Sequence, residues 1–225
     1  FLQALTEEID IIFLCNPNNP TGLLVEKPLL EKILKRCQEL DILMAVDECF
    51  LDFVPTPEKY TLKEYLETYD NLFLLKAFTK RYAMAGVRLG YGLCGNKRLL
   101  EKIEGVCQPW NVSSMAQAAG LAALQEREYV EKGRQVTFQE LAYLKEELAV
   151  LGYPVYPSQA NYVFFTGPAD LYEKLEEKKI LIRDCSNYTG LYKGYYRVAV
   201  KKHEENQQLI RALKEIDRTK VENVI

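Results

Sequence analysis

Three short apolar runs, none of which alternates with polar residues, constrain the fold of this chain more than any other feature. They are IIFLC (11–15), ILMAV (42–46) and NLFLL (71–75), with helical or turn patterns between them. Strands that are apolar on both faces are buried on both faces, and they alternate with helices in parallel sheets. A further run, VRLGYGLC (87–94), predicts a fourth strand. We therefore predict an α/β fold with a mostly parallel sheet, whose outer strands are exposed edges.

Helical periodicity predicts what connects and follows these strands. A helix begins at Pro28, a residue favoured at the first helical position, and apolar residues follow it at helical spacing. A long helical run begins after a serine cap at Ser113, and we expect Gly133 to divide it into two helices, the second ending near Leu148.

The last third of the chain has the pattern of a small α+β unit. Short strand and helix patterns follow one another beyond Gly152, in the order ANYVFF, ADLYEKLEEKK, ILIR, YYRVAV and EENQQLIRALKEI. We therefore divide the chain into a sheet domain (1–112), connecting helices (113–150) and a small C-terminal domain (151–225).

The composition excludes several classes of function. The chain has 225 residues, of which 29 are basic and 32 acidic, and these are interspersed, so no surface for nucleic acid is indicated. The apolar runs are too short to span a membrane, and the first ten residues lack the basic region of a secretory signal. Six cysteines without a CxxC pair are typical of a reducing compartment, and the single histidine, His203, lies in a polar run. We expect a cytoplasmic protein without a metal site.

Residues that could carry chemistry follow the predicted strands. The turn CNPNNPTG follows the first strand and Asp47 ends the second, and ligands of open α/β sheets bind outside such carboxyl ends. Taken alone, Asp47 is equally well explained as a helix or turn cap, and CNPNNPTG is better explained as a plain turn. Lys76 and Lys80 lie at the end of the third strand, where a lysine amine in apolar surroundings can act as a nucleophile. Arg88 follows Lys80 by eight residues, whereas Met84 holds that position relative to Lys76.

The absence of a Gly-rich phosphate loop disfavours a nucleotide-binding domain.

Three motifs in this order, N-P-T-G (19–22), D-E-x-F (47–50) and T-K followed at eight residues by R (79–88), resemble the class I/II, fold-type-I aminotransferases that use pyridoxal phosphate. The closer resemblance is to the branch with histidinol-phosphate aminotransferases and threonine-phosphate decarboxylases. SQANYVFF, ILIRDCSNYTGL and YYRVAVK in the small domain are also similar to that branch, so the resemblance covers essentially the whole chain.

The resemblance implies a role for each motif residue. Lys80 would be the catalytic lysine that bonds the cofactor aldehyde and later moves a proton at the substrate. Asp47 would pair with the pyridinium nitrogen and Asn19 with the 3-oxygen, while Arg88 and Thr79 would hold the phosphate.

Two residues of the small domain receive substrate roles from the same resemblance. Arg197 would bind the substrate carboxylate, and Asn161 would help to position cofactor or substrate. Lys76 receives no role.

The chain departs from the pattern of the family in three respects. Phe50 stands where many relatives have a tyrosine that contacts the 3-oxygen, and Ala77 stands where they usually have a serine or threonine for the phosphate. The N-terminal segment of the family, which carries a Gly-rich phosphate loop and a stacking aromatic, has no counterpart, so we expect a C-terminal part of a longer enzyme with weak activity or none by itself.

The resemblance leaves the reaction open. DECFLDF and RDCSNYTGL favour a threonine-phosphate decarboxylase acting on a phosphorylated amino acid. Histidinol-phosphate transamination is the alternative, and a non-catalytic remnant is an alternative of another class. The family also implies a homodimer with a small-molecule substrate.

Overall fold

The computed structural model of the protein describes residues 1–222, and they form two compact units. The first comprises Phe1–Asn18 and Leu24–Glu131, and the second comprises Asn19–Leu23 and the chain from Lys132 onward. No helix in residues 1–222 is both long and apolar enough to cross a membrane.

The first unit contains a four-stranded sheet in the order β1-β2-β3-β4. Its strands are β1 (Ile11–Cys15), β2 (Leu43–Asp47), β3 (Leu72–Ala77) and β4 (Gly90–Cys94). The first three are parallel and β4 pairs antiparallel with β3. The prediction of a mostly parallel sheet is therefore confirmed, with strand bounds within a few residues of the apolar runs. The strand β1 is an edge of this sheet, and Phe13 on it is 69% exposed.

Helices of the first unit pack on the sheet or flank it. They are α1 (Lys27–Glu39), α2 (Phe78–Arg81), α3 (Lys97–Val106) and α4 (Ser114–Ala123). The apolar side of α1 is buried in one core with β2 and β3, as its spacing predicts. The helix α3 was not predicted from the sequence, although Asn96 caps it by accepting a hydrogen bond from Leu99 N–H at 3.0 Å.

The long helix α5 (Arg127–Val150) corrects the expectation that Gly133 separates two helices. Gly133 lies inside α5, and the interruption falls between Ala123 and Arg127. A glycine inside a helix costs about 1 kcal/mol relative to alanine, which a long run of good helix formers outweighs.

The second unit is built on a three-stranded antiparallel sheet in the order β5-β7-β6. Its elements are β5 (Tyr162–Thr166), α6 (Leu171–Glu177), β6 (Arg183–Asp184), β7 (Tyr195–Ala199) and α7 (His203–Glu222). The core of this unit contains Leu144 of α5, Phe165 of β5 and Leu213 of α7, each fully buried. The strand predicted at ILIR (180–183) begins later in the structure, where only Arg183 of this stretch belongs to β6.

Candidate functional site

The carboxyl end of the parallel strands carries the first group of candidate residues. Asp47 is the last residue of β2, and its neighbours in register are Cys15 on β1 and Leu75 on β3. The Asp47 side chain is half-buried, and its Oδ1 accepts a hydrogen bond from the Cys49 backbone N–H at 2.9 Å. Asp47 is therefore a fixed carboxylate at the edge of the sheet where ligands of α/β folds bind.

The charge of Asp47 acts on two cysteines beside it. Burial, followed by the hydrogen bond and the charge of Asp47, raises the pKa of the Cys49 thiol to about 12. Burial and then the same carboxylate raise the pKa of the Cys15 thiol. Burial is the larger cause of both shifts and the Asp47 carboxylate adds to each, so both thiols are more strongly held in the protonated form than a free cysteine.

Lys80 lies on α2, which begins directly after β3. Its Nζ lies 5.5 Å from the centroid of the Phe50 ring, and among the described residues it pairs with no carboxylate. Thr79 precedes it and is half-buried, while Lys80 itself is exposed. An amine that is accessible and not paired with a carboxylate can react with an aldehyde, and Phe50 offers it a ring face but no hydroxyl.

Arg88 has an unusual backbone conformation. It follows the short 3-10 turn Ala85–Val87 and has φ 58° and ψ 47°, in the left-handed region. This conformation costs a non-glycine residue about 1–2 kcal/mol, and such strain often marks a functional position. The side chain is exposed and donates from Nη1 to the Ala85 carbonyl at 3.1 Å. Most of its donors therefore remain available for an anion.

Lys76, which received no role from the sequence, is in an ion pair. Its Nζ lies 2.8 Å from Oε2 of Glu48, and the two side chains are 14% and 0% exposed. Lys76 and Lys80 are thus distinguished by their partners as well as by their positions.

Asn19 and Arg197 lie together in the second unit. The Arg197 guanidinium donates to Asn19 Oδ1, and the Tyr188 hydroxyl donates to the same oxygen at 3.4 Å. The guanidinium carbon also lies 5.1 Å from the centroid of the Tyr162 ring. This arrangement orients Arg197 before any ligand binds.

Asn161 directly precedes β5 in the second unit, and its side chain has an unused acceptor. Its Oδ1 is buried and, among the described residues, accepts no hydrogen bond. Its backbone carbonyl accepts from Val200 N–H at 2.9 Å, which fixes the residue beside β7. A buried acceptor without a donor is costly, and a ligand donor would remove that cost.

Sequence reasoning missed Arg183, which is the direct cross-strand partner of Arg197. Directly opposed residues of antiparallel strands project from the same face, so the Arg183 and Arg197 side chains leave one face of the sheet at the same register position. Arg183 donates to Asn187 Oδ1 at 2.9 Å, and its guanidinium carbon lies 5.8 Å from the Tyr188 ring centroid. The sequence contains both arginines, but the register that pairs them is not visible in it.

These two arginines border a cleft of about 480 Å³ in the second unit. Lys179 and Lys201 also line it, and Glu205 is the only acidic residue among its lining groups. A cleft with four cations and one carboxylate favours anionic ligands.

The structure therefore groups the predicted residues by unit. Asp47, Thr79, Lys80 and Arg88 belong to the first unit, and Asn19, Asn161 and Arg197 belong to the second. The roles assigned to them stay predictions.

Comparison with known proteins gives consistent relatives. The profile of the family described as aminotransferase class I and II matches residues 1–213. The threonine-phosphate decarboxylase of Salmonella typhimurium is 37% identical over 219 residues, which are 96% of this chain and 60% of that protein. The histidinol-phosphate aminotransferase of Methanosphaera stadtmanae is 32% identical over 222 residues, covering 96% of this chain and 58% of that protein.

A solved structure agrees with these relatives. The crystal structure of the histidinol-phosphate aminotransferase from Clostridium acetobutylicum matches with a TM-score of 0.89 at 32% identity, covering 95% of this chain and 65% of that one. The chain spans about 60% of the length of the curated relatives that it matches.

Proposed function

The chain belongs to the class I and II aminotransferase family, and we propose that it serves a pyridoxal-phosphate-dependent enzyme that acts on a phosphorylated amino acid, in the manner of a threonine-phosphate decarboxylase. The observation that carries the substrate class is the cross-strand pair Arg183 and Arg197. Two arginines that project from one face of a sheet concentrate positive charge there, and an amino acid with a carboxylate and a phosphate supplies two anionic groups to match it.

The first unit contains the donor set that the cofactor requires. Lys80 supplies an amine for the aldehyde, and Asp47 supplies a carboxylate for the ring nitrogen. Arg88, with the Thr79 hydroxyl, supplies hydrogen-bond donors for the phosphate. These groups fit pyridoxal phosphate, because its aldehyde, its ring nitrogen and its phosphate each have a complementary side chain in the first unit.

When bound, the cofactor supplies an electron sink. This sink stabilises the negative charge left at the substrate Cα when a bond to Cα breaks. Asp47 holds a proton on the ring nitrogen, and its own position is fixed by the Cys49 N–H. Lys80 Nζ would return a proton to Cα, and the Phe50 ring, 5.5 Å from that Nζ, has no hydroxyl that could compete for it. Arg197 orients the substrate by its carboxylate, as Asn19 already fixes its guanidinium.

The proposed decarboxylase and its alternative, an aminotransferase, differ in which bond to the substrate Cα breaks. The decarboxylase relative is 37% identical and the aminotransferase relative 32%, which favours the first without excluding transamination. The test is to supply O-phosphothreonine with and without a 2-oxo acid. Release of CO2 without the 2-oxo acid supports decarboxylation, and a requirement for it with transfer of the amino group supports the histidinol-phosphate type.

A non-catalytic member of the family is the alternative of another class. Phe50 and Ala77, where relatives carry hydroxyl side chains, motivate it. It predicts that Lys80 bonds no cofactor and that substitution of Lys80 changes nothing measurable.

A cytoplasmic location and a homodimer remain part of the proposal, and sedimentation tests the homodimer.

A further inference from the structure

Two lysines four residues apart, Lys76 and Lys80, lie at the same end of β3, and only one can be the lysine that bonds the cofactor. Their surroundings differ. The Lys76 side chain is 14% exposed and its Nζ lies 2.8 Å from Oε2 of Glu48, whereas Lys80 is exposed and pairs with no carboxylate among the described residues. The carboxylate of Glu48, which accounts for the difference between the two lysines, is fully buried.

Glu48 uses both of its oxygens. The Thr61 hydroxyl lies 2.9 Å from each of them, and Leu62 N–H donates to Oε1 at 3.2 Å. All of these partners except Lys76 are neutral. Lys76 is therefore the cation that balances the buried charge of Glu48, and a buried carboxylate that lost its cation would be strongly disfavoured.

The Glu48–Lys76 pair lies next to groups of the proposed cofactor site on both strands. Glu48 directly follows Asp47, and its backbone N–H donates to the Leu75 carbonyl at 3.0 Å, which joins the ends of β2 and β3. Lys76 follows Leu75 on β3, four residues before Lys80. A change at the pair thus acts on the segment that carries Asp47 and on the strand that leads to Lys80.

We propose that Glu48 determines which of the two lysines reacts: its buried carboxylate engages Lys76 Nζ at 2.8 Å, which withholds that amine from an aldehyde and thereby reserves the cofactor for Lys80. The part concerning Lys80 rests on the proposed function, and the part concerning Lys76 does not. An ammonium has no lone pair, and only the neutral amine adds to a carbonyl. Removing the Glu48 carboxylate releases Lys76 Nζ from its ion pair, so the amine is no longer withheld from a reagent.

The first experiment measures amine reactivity without any cofactor. The protein is labelled with trace acetic anhydride at pH 8, and the rate at each lysine is read by peptide mass spectrometry. We expect Lys76 to acetylate about tenfold faster in Glu48→Gln than in the wild type, because that change removes the charge and retains an acceptor for Thr61 and Leu62.

Two matched variants separate loss of charge from loss of packing. Thr61→Val removes the hydroxyl hydrogen bonds to Glu48 but keeps the Leu62 N–H bond and the ion pair, so Lys76 should stay unreactive. Glu64→Gln breaks the Lys27 pair, in which the carboxylate is 59% exposed, so Lys27 should change less than about twofold.

The second experiment adds the cofactor in a Lys80→Ala background. Pyridoxal phosphate is mixed at equimolar concentration and reduced with borohydride. A neutral lysine amine adds to the aldehyde carbon, water leaves, and hydride with a solvent proton converts the C=N bond to a stable secondary amine. We expect Lys80→Ala to be unlabelled at Lys76, and Glu48→Gln/Lys80→Ala to be labelled there.

The outcomes distinguish this inference from the proposed function. Faster acetylation of Lys76 in Glu48→Gln, with native circular dichroism, supports the role of Glu48. An unchanged rate, or an equal rise in Thr61→Val, overturns it. If Glu48→Gln does not fold, the wild type still decides, since Lys76 acetylating as fast as Lys80 at pH 8 overturns the inference. A wild-type Lys80 that takes no cofactor label refutes the proposed function, whatever Lys76 does.

Discussion

The backbone N–H of Cys49 donates to Oδ1 of Asp47 across 2.9 Å, and the pKa of the Cys49 thiol is raised to about 12. Burial is the largest cause of this shift, and a hydrogen bond of the Cys49 side chain to Asp47 and the charge of Asp47 add to it. Cys49 is therefore a reporter of the charge on the carboxylate that we propose as the partner of the cofactor ring.

Alkylation of Cys49 should respond to that charge. With a pKa of about 12, only about one thiol in ten thousand is a thiolate at pH 8, so iodoacetamide should leave Cys49 unmodified while it modifies the exposed Cys107. Asp47→Asn removes two of the causes that raise the pKa. The thiolate fraction rises, so alkylation should accelerate, and wild-type Cys49 should begin to react only as the pH rises toward 12.

Asp52→Asn is the control for this measurement. Asp52 pairs with Arg81 at 2.8 Å and is not among the groups that shift the Cys49 pKa. Equal acceleration in Asp47→Asn and Asp52→Asn would show that loosened packing, rather than the charge of Asp47, protects the thiol.

The arginine pair should contribute to binding of phosphorylated ligands. Arg183→Gln and Arg197→Gln should each weaken binding of O-phosphothreonine about tenfold or more, because a hydrogen bond from a charged group is worth about 1.5–3 kcal/mol. Isothermal titration calorimetry measures this. Arg211→Gln, on α7, removes an equal charge that bonds only Gln207 in the described structure. Equal weakening in all three variants would mean that net charge, not this pair, attracts the ligand.

Two neighbouring leucines of α1 should differ sharply in their contribution to stability. Leu30 is fully buried and Leu29 is 45% exposed. Leu30→Ala should lower the free energy of unfolding by about 2–5 kcal/mol through lost burial and a cavity, and Leu29→Ala by less than about 1 kcal/mol. Urea unfolding followed by circular dichroism compares them, and similar losses would contradict the orientation of α1.

Two glycines of the second unit should respond in opposite directions to alanine. Gly133 lies in α5 with no atom within 4 Å of an added Cβ, so Gly133→Ala should stabilise the protein by about 0.5–1 kcal/mol. Gly22 has φ +71°, and an added Cβ would collide with the Ser158 side chain, so Gly22→Ala should destabilise. Thermal unfolding measures both, and a loss of stability in Gly133→Ala would contradict the continuous α5.

The sequence predicted what is local and missed what depends on pairing. The apolar runs located all four strands of the first unit. The burial expected on both faces of these strands is observed for the middle of β2 but is wrong for β1, an edge strand on which Phe13 is 69% exposed. The break expected at Gly133 was wrong, because the cost of one glycine is small beside the propensity of a long helix.

The missed features join residues that are distant in sequence. Arg183 became a candidate only when β6 and β7 placed it opposite Arg197. Lys76 could be set aside by spacing to Arg88, but its burial against Glu48 required the neighbouring strand. Register and ion pairing between strands arise from tertiary packing, which a single sequence does not display.

The decisive measurement is to incubate the protein with equimolar pyridoxal phosphate, reduce with borohydride, and map the modified peptides by mass spectrometry. Lys80 should carry the adduct and Lys76 should carry none, and Lys80→Ala should abolish the label at this end of β3. Label scattered over surface lysines, or an adduct on Lys76 with Lys80 unmodified, would contradict the assignment of Lys80 and with it the proposed function.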